Sequence, residues 1–165
     1  MSTHTAIAYH IVFSTKDRIP VLTPDRREDL FRYIWGIIRK RHGHLYRING
    51  VEDHLHILTS LHPTVRLADF IKEIKTGSAH WIKEKAVFKR FSHWQDGYGA
   101  FTCSRHEIAG LIEYIKGQEQ HHRRVNFDEE YRKLPDGSSN RIRRAVLVVT
   151  VGPFRAGNAL GNPVP

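Results

Sequence analysis

The chain has 165 residues, 40% of them hydrophobic and 26% charged, which suits one self-sufficient core, is too short for two full domains and excludes wholesale disorder. Lys and Arg number 26 against 17 Asp and Glu, a formal charge of +9; such a balance gathers polyanions, nucleic acid foremost, by releasing their counterions. One cysteine, Cys103, excludes an internal disulfide framework and a cysteine zinc cluster within one chain. No apolar run approaches the roughly 20 residues of a membrane helix. The opening MSTHTAIAYHIVF has no basic region ahead of its apolar stretch, so a cytoplasmic protein without a signal peptide is expected.

Alternation over residues 6–13 predicts a strand, ended by the charged, proline-bearing stretch 16–20. Thr23 and Pro24 then open a helix as N-cap and first residue, with Leu30, Phe31, Ile34, Ile37 and Ile38 at helical spacing and Gly43 as its stop. Strands are predicted over 44–49 and 54–61, joined by a turn at Asn49-Gly50. A second helix follows over about 67–85, carrying Leu67, Phe70, Ile71, Ile74 and Ile82. Residues 94–104 become strand-like after a glycine-led start, residues 105–124 read as one helix, and 128–134 as a short last one. The order β-α-β-β-α-β-α predicts an α+β fold of the ferredoxin-like kind, an antiparallel sheet with helices packed on one face.

From Pro135 onward the composition changes: four glycines, three further prolines, four arginines and no acid after Asp136. Residues 1–135 are therefore read as the folded domain and 136–165 as a basic tail or interaction arm.

The sharpest local feature is Asp53-His54-Leu55-His56-Ile57-Leu58. On a strand His54 and His56 share one face about 7 Å apart, so both can point at one cation; spacing alone also fits a chance pair in a chain with many histidines. On the 105–124 helix the apolar stripe centres on Ile108, Leu111, Ile112 and Ile115. Tyr114 and Gln118 lie on its flank about 40° apart, one turn over the other, and His121 continues that flank. Such a tyrosine can also simply carry its hydroxyl to water at a boundary.

Taken together, these blocks resemble the single-tyrosine HUH transposases of the insertion sequence 200/605 family. The resemblance runs over roughly residues 5–134: Tyr9-His10-Ile11-Val12-Phe13-Ser14-Thr15-Lys16, the Asp53-to-Leu58 block, Phe70-Ile71-Lys72, Trp94-Gln95-Asp96-Gly97-Tyr98, and Glu113-Tyr114-Ile115-Lys116-Gly117-Gln118-Glu119-Gln120-His121. It implies His54, His56 and Gln118 as ligands of a divalent metal, Tyr114 as nucleophile, and a homodimer in which one subunit's tyrosine helix can complete the other's site. The implied substrate is single-stranded DNA folded into a hairpin at each transposon end, cut with a 5′-phosphotyrosine linkage and a free 3′-hydroxyl.

The implied chemistry suits these residue types. Attack on a phosphodiester needs a cation against the charge building on the phosphoryl oxygens. Two neutral imidazoles and an amide leave Mg²⁺ or Mn²⁺ nearly fully dipositive; the imidazoles tilt the preference toward Mn²⁺, and Zn²⁺ also suits them. A phenolate is a good leaving group for the return step, so no ATP is required, and no phosphate-binding glycine loop or nucleotide cofactor is expected.

Among the other tyrosines, Tyr9, Tyr33 and Tyr46 fall in apolar patterns, Tyr98 suits packing or DNA contact, and Tyr131 lacks an amide one turn away. Lys72, Lys75, Arg123, Arg124 and His121 are candidate DNA contacts; Arg39, Lys40 and Arg41 suit the helix dipole equally well. Trp81, Trp94 and Phe101 could stack bases, though core packing is their commoner use. Cys103 reads as a small buried strand residue. Two further readings stand beside the transposase: a non-catalytic single-stranded nucleic-acid-binding module, and a domesticated relative acting on dispersed hairpin repeats.

Overall fold

The computed structural model describes residues 7–122. The 128–134 helix, the 136–165 tail, Arg123 and Arg124 lie outside the described residues, as does the side chain of His121. Four strands, β1 (Ala8–Ser14), β2 (Leu45–Gly50), β3 (His54–Ser60) and β4 (Gly99–Cys103), form one antiparallel sheet in the order β2-β3-β1-β4. The helices are α1 (Pro24–Lys40), α2 (Leu67–Glu84), α3 (Ile108–Lys116) and α4 (Gln118–His122).

Alternation assigns the two sheet faces. Ile11, Phe13, Leu55, Ile57 and Ala100 face α1 and α2, whose Leu30, Ile34, Ile38, Phe70, Ile71 and Ile74 complete the main core. Loop 85–98 closes this layer through Val87, Phe88, Phe91 and Trp94. The indole of Trp94 donates to Ser78 Oγ at 2.9 Å, and that hydroxyl donates to the Ile74 carbonyl at 2.6 Å. Every buried polar group in this corner thus has a use.

The other face carries a smaller cluster, Ala8, Leu58, Cys103 and Ile115, with Ile108, Leu111, Ile112 and Tyr114 packed against it. The α+β antiparallel architecture is the one expected from the sequence, and α1 and α2 do share a face; α3 covers the opposite one. The central strands β1 and β3 are therefore buried on both faces, so residues 54 to 59 of β3 are all inaccessible.

Three local expectations change. The predicted 105–124 helix is broken at Gly117, where the backbone turns to φ −78° and ψ 3° between α3 and α4. Asn49 and Gly50 are not the hairpin turn: they pair with His56 and Leu55 as the end of β2, and the turn is residues 51–53. The stop of α1 is His42 at φ 56°, not Gly43. Gly43 is needed instead for close approach, since a Cβ there would sit 2.8 Å from the Ser60 carbonyl oxygen.

Candidate active site: two strand histidines beneath a helix tyrosine

The α3-covered face holds a row of polar groups in an otherwise apolar layer. Pairing places Val12 opposite His56, Ser14 opposite His54 and His10 opposite Leu58, so His10, His54 and His56 share this face. All three are buried, at 1%, 0% and 0% exposure. The rings of His54 and His56 lie 5.0 Å apart between centroids. Tyr114, on α3, meets His56 and His10 edge-on with centroids 6.0 and 6.2 Å away.

His54 and His56 are each engaged through Nδ1. His54 Nδ1 is 2.7 Å from Asp53 Oδ1. The second carboxylate oxygen accepts from Arg18 Nε at 3.1 Å and Nη2 at 2.8 Å. Burial pushes the Asp53 carboxyl up, but the hydrogen bond with His54, then the bond and charge of Arg18, outweigh it and hold the group below its ordinary range. An ionised carboxylate only accepts, so His54 Nδ1 carries the proton and Nε2 is its basic nitrogen. His56 Nδ1 lies 3.0 Å from His10 Nε2, the two rings within 22° of parallel.

Gln118 is fully buried at the head of α4. Two side chains hold the elbow that places it. Asn49 Nδ2 donates to the Ile115 and Lys116 carbonyl oxygens at 2.8 and 3.3 Å. Arg27, 5% exposed, reaches from α1 to the Gly50 carbonyl at 2.6 Å and to Glu119 at 3.1 Å. The head of α4 is thereby kept beside the 51–53 turn that leads into His54.

The chemistry of His54, His56 and Gln118 would suit a divalent cation: two neutral imidazoles and one amide oxygen would bring no charge and would leave coordination positions for a phosphate oxygen or water. Among the described residues no group of three or more His, Cys, Asp or Glu forms an alternative cage.

Lys72 and Lys75, expected near DNA, are on α2, across the sheet from the histidines. Lys75 Nζ donates to the Gln95 and Gly97 carbonyl oxygens, each at 2.7 Å. Burial pushes this amine down, against the charge of Asp96. It ties loop 95–97 to α2 at one wall of a cavity of about 420 Å³ that Lys72, Thr76 and Tyr98 also line. Trp94 and Phe101 are buried in packing, and Trp81 stacks on Tyr33 at 4.9 Å. His10, Arg18, Arg27 and Asn49 were not singled out by sequence. His10 alone left a usable signal, since it shares the alternation of β1 as His54 and His56 share that of β3.

Known proteins of related sequence and like fold point to one family. The family model described as "Transposase IS200 like" matches residues 3–118. The ISDra2 transposase TnpA of Deinococcus radiodurans is 26% identical over 119 residues, 68% of this chain and 84% of its own. A crystal structure of a Deinococcus radiodurans protein assigned as a transposase superposes with TM-score 0.57 and 24% identity, covering 72% of this chain and 95% of that one. A REP-associated tyrosine transposase bound to a REP hairpin superposes with TM-score 0.54 and 18% identity over 76% of each chain. These two likenesses are of fold.

Proposed function

Since the chain belongs to the IS200-like transposase family, we propose that it cuts and rejoins single-stranded DNA at hairpin ends through a 5′-phosphotyrosine on Tyr114, with Mg²⁺ or Mn²⁺ held by His54, His56 and Gln118. The observation that carries this reading is Tyr114 standing edge-on over His56, 6.0 Å between ring centroids, above imidazoles whose Nδ1 atoms are already engaged. A hairpin substrate is supported by the relative of like fold that was solved bound to one.

In the proposed reaction the Tyr114 oxygen attacks phosphorus. The P–O3′ bond breaks, the phenol loses its proton and the departing 3′ oxygen gains one. The reverse attack by a 3′-hydroxyl expels the phenolate and conserves the phosphodiester. The cation supplies charge neutralisation at the phosphoryl oxygens. Asp53 and Arg18 keep His54 in one tautomer and orientation, and Asn49 and Arg27 set the elbow between Tyr114 and Gln118. The homodimer is part of the same proposal.

The test uses labelled single-stranded DNA carrying the hairpin ends of the flanking element, with Mn²⁺ or Mg²⁺, resolved on a denaturing gel. Wild type gives a metal-dependent covalent adduct that Tyr114→Phe abolishes while hairpin binding persists. An adduct that survives in Tyr114→Phe overturns the nucleophile assignment. Tight, salt-sensitive hairpin binding without any adduct favours the binding module instead, and cleavage confined to dispersed hairpin repeats favours the domesticated relative.

A further inference from the structure

We propose that His10 is a positioning residue for His56: its Nε2 accepts the His56 Nδ1 proton, and this fixes His56 in the tautomer whose Nε2 can bind a cation. The proposal rests on the metal-site reading above, but its central claim concerns a proton in the protein alone.

A neutral imidazole has one N–H donor and one acceptor nitrogen. Only one hydrogen can lie in the 3.0 Å contact between His10 Nε2 and His56 Nδ1. If His56 donates, its Nε2 carries the lone pair. If His10 donates, His56 Nε2 carries a hydrogen and cannot be a ligand. His54 faces no such choice, because the Asp53 carboxylate at 2.7 Å accepts only. The His56 tautomer is set by another imidazole, and therefore by what holds that imidazole.

His10 is held closely. It is 1% exposed on the central strand β1, opposite Leu58 on one side and Phe101 on the other. The Phe101 ring lies 6.1 Å away and Tyr114 meets it edge-on at 6.2 Å. The ring cannot leave without opening the α3 interface. The contact with His56 is diagonal across the strands, since His10 pairs with Leu58 and His56 is two residues earlier on β3. The two histidines of β3 thus each direct Nδ1 at a partner within the protein, a carboxylate for His54 and an imidazole for His56. An acceptor on Nδ1 is the arrangement that orients a histidine for metal through Nε2.

The experiment reads the tautomer first. Two-bond ¹H–¹⁵N correlation spectra of the full chain without metal at neutral pH, with the His56→Gln variant to assign the ring, are expected to show His56 protonated on Nδ1 and bare on Nε2. In His10→Phe that preference is expected to collapse into a mixture. His10→Gln, whose side-chain oxygen can stand in for the accepting nitrogen, is expected to retain it. Mn²⁺ titrations followed by electron paramagnetic resonance give the second readout: about 10-fold or greater loss of affinity in His10→Phe, and near wild-type affinity in His10→Gln. A His56 ring bearing its proton on Nε2 in wild type overturns the proposal even if neither His10 variant folds, as does His10→Phe with unchanged tautomer and affinity. Nδ1 protonation together with no Mn²⁺ binding by wild type would instead sustain the role of His10 and remove the metal reading.

Discussion

The side-chain amide of Asn49 donates to the Ile115 carbonyl oxygen at 2.8 Å, joining the end of edge strand β2 to the last turn of the helix that carries Tyr114. Carbonyls in the last turn of a helix have no partner within it, and the same amide also reaches Lys116. Asn49→Ala is expected to lose about 1–2 kcal/mol of stability in urea unfolding. It should reduce the rate of DNA adduct formation more than hairpin affinity, because the elbow between Tyr114 and Gln118 loosens. Equal losses in the two assays would show that the elbow is fixed by other contacts.

The Arg18–Asp53–His54 chain makes a prediction about metal. Removing the carboxylate charge in Asp53→Asn, or its anchor in Arg18→Met, leaves His54 less firmly oriented. Mn²⁺ affinity is expected to fall by about 10-fold or more in each. If the effect of Arg18 on the metal runs through Asp53, the double variant should bind no more weakly than Asp53→Asn alone. Additive losses would mean that Arg18 reaches the cation or the DNA independently.

Two glycines should respond to alanine with opposite signs. A Cβ at Gly50 would run into the His54 carbonyl oxygen and the Leu55 side chain, and the carbonyl is backbone that cannot step aside. Gly50→Ala is expected to cost about 1–3 kcal/mol. Gly36 lies inside α1 with open space where its Cβ would be, so Gly36→Ala should stabilise by about 0.8–1 kcal/mol. Urea midpoints of the two variants against wild type decide both.

Cys103 is buried on β4, and burial raises its thiol from the ordinary 9.0 to about 11, with the charge of Glu107 adding and a backbone hydrogen bond from His10 opposing. The folded value lies above the unfolded one. The thiol's contribution to stability is therefore complete below pH 9 and is lost as pH rises through 11. At pH 8 the native thiolate fraction is about 100-fold below that of an unfolded cysteine. Iodoacetamide should label native protein correspondingly slowly, and Cys103→Ala should reduce the alkaline slope between pH 9 and 11. Fast labelling of the native chain at pH 8 would contradict this.

The sheet and the long helices were legible because their apolar runs are long and unbroken: seven residues of strand for β1, seventeen residues of amphipathic pattern for α1. The misreadings have tertiary causes. Asn49-Gly50 carries the usual hairpin signature, but Asn49 is drawn into the ladder opposite His56 and its amide into the end of α3. The break at Gly117 is silent in the pattern, since a lone glycine costs an isolated helix only about 1 kcal/mol. Here Asn49 on one side and the Arg27–Glu119 pair on the other decide it. Arg27 reads as part of the polar face of α1 and is buried because a carbonyl and a carboxylate meet it. The His54/His56 pair was visible at once, whereas the partners of their Nδ1 atoms come from β1 and from a bond to a neighbouring residue that no periodicity encodes.

The turn after β1 places Asp17 and Arg18 in succession at φ 52° and 55°. Left-handed backbone costs a non-glycine residue roughly 1–2 kcal/mol, and least when the side chain is Asn or Asp. Position 17 is a solvent-facing site, its side chain 67% exposed. Such sites ordinarily admit almost any replacement. This one does not: valine, isoleucine or threonine there would oppose the turn that aims Arg18 at Asp53. A surface residue with no bond of its own to the histidines therefore narrows the set of neutral substitutions open to the chain, and it does so through backbone shape alone.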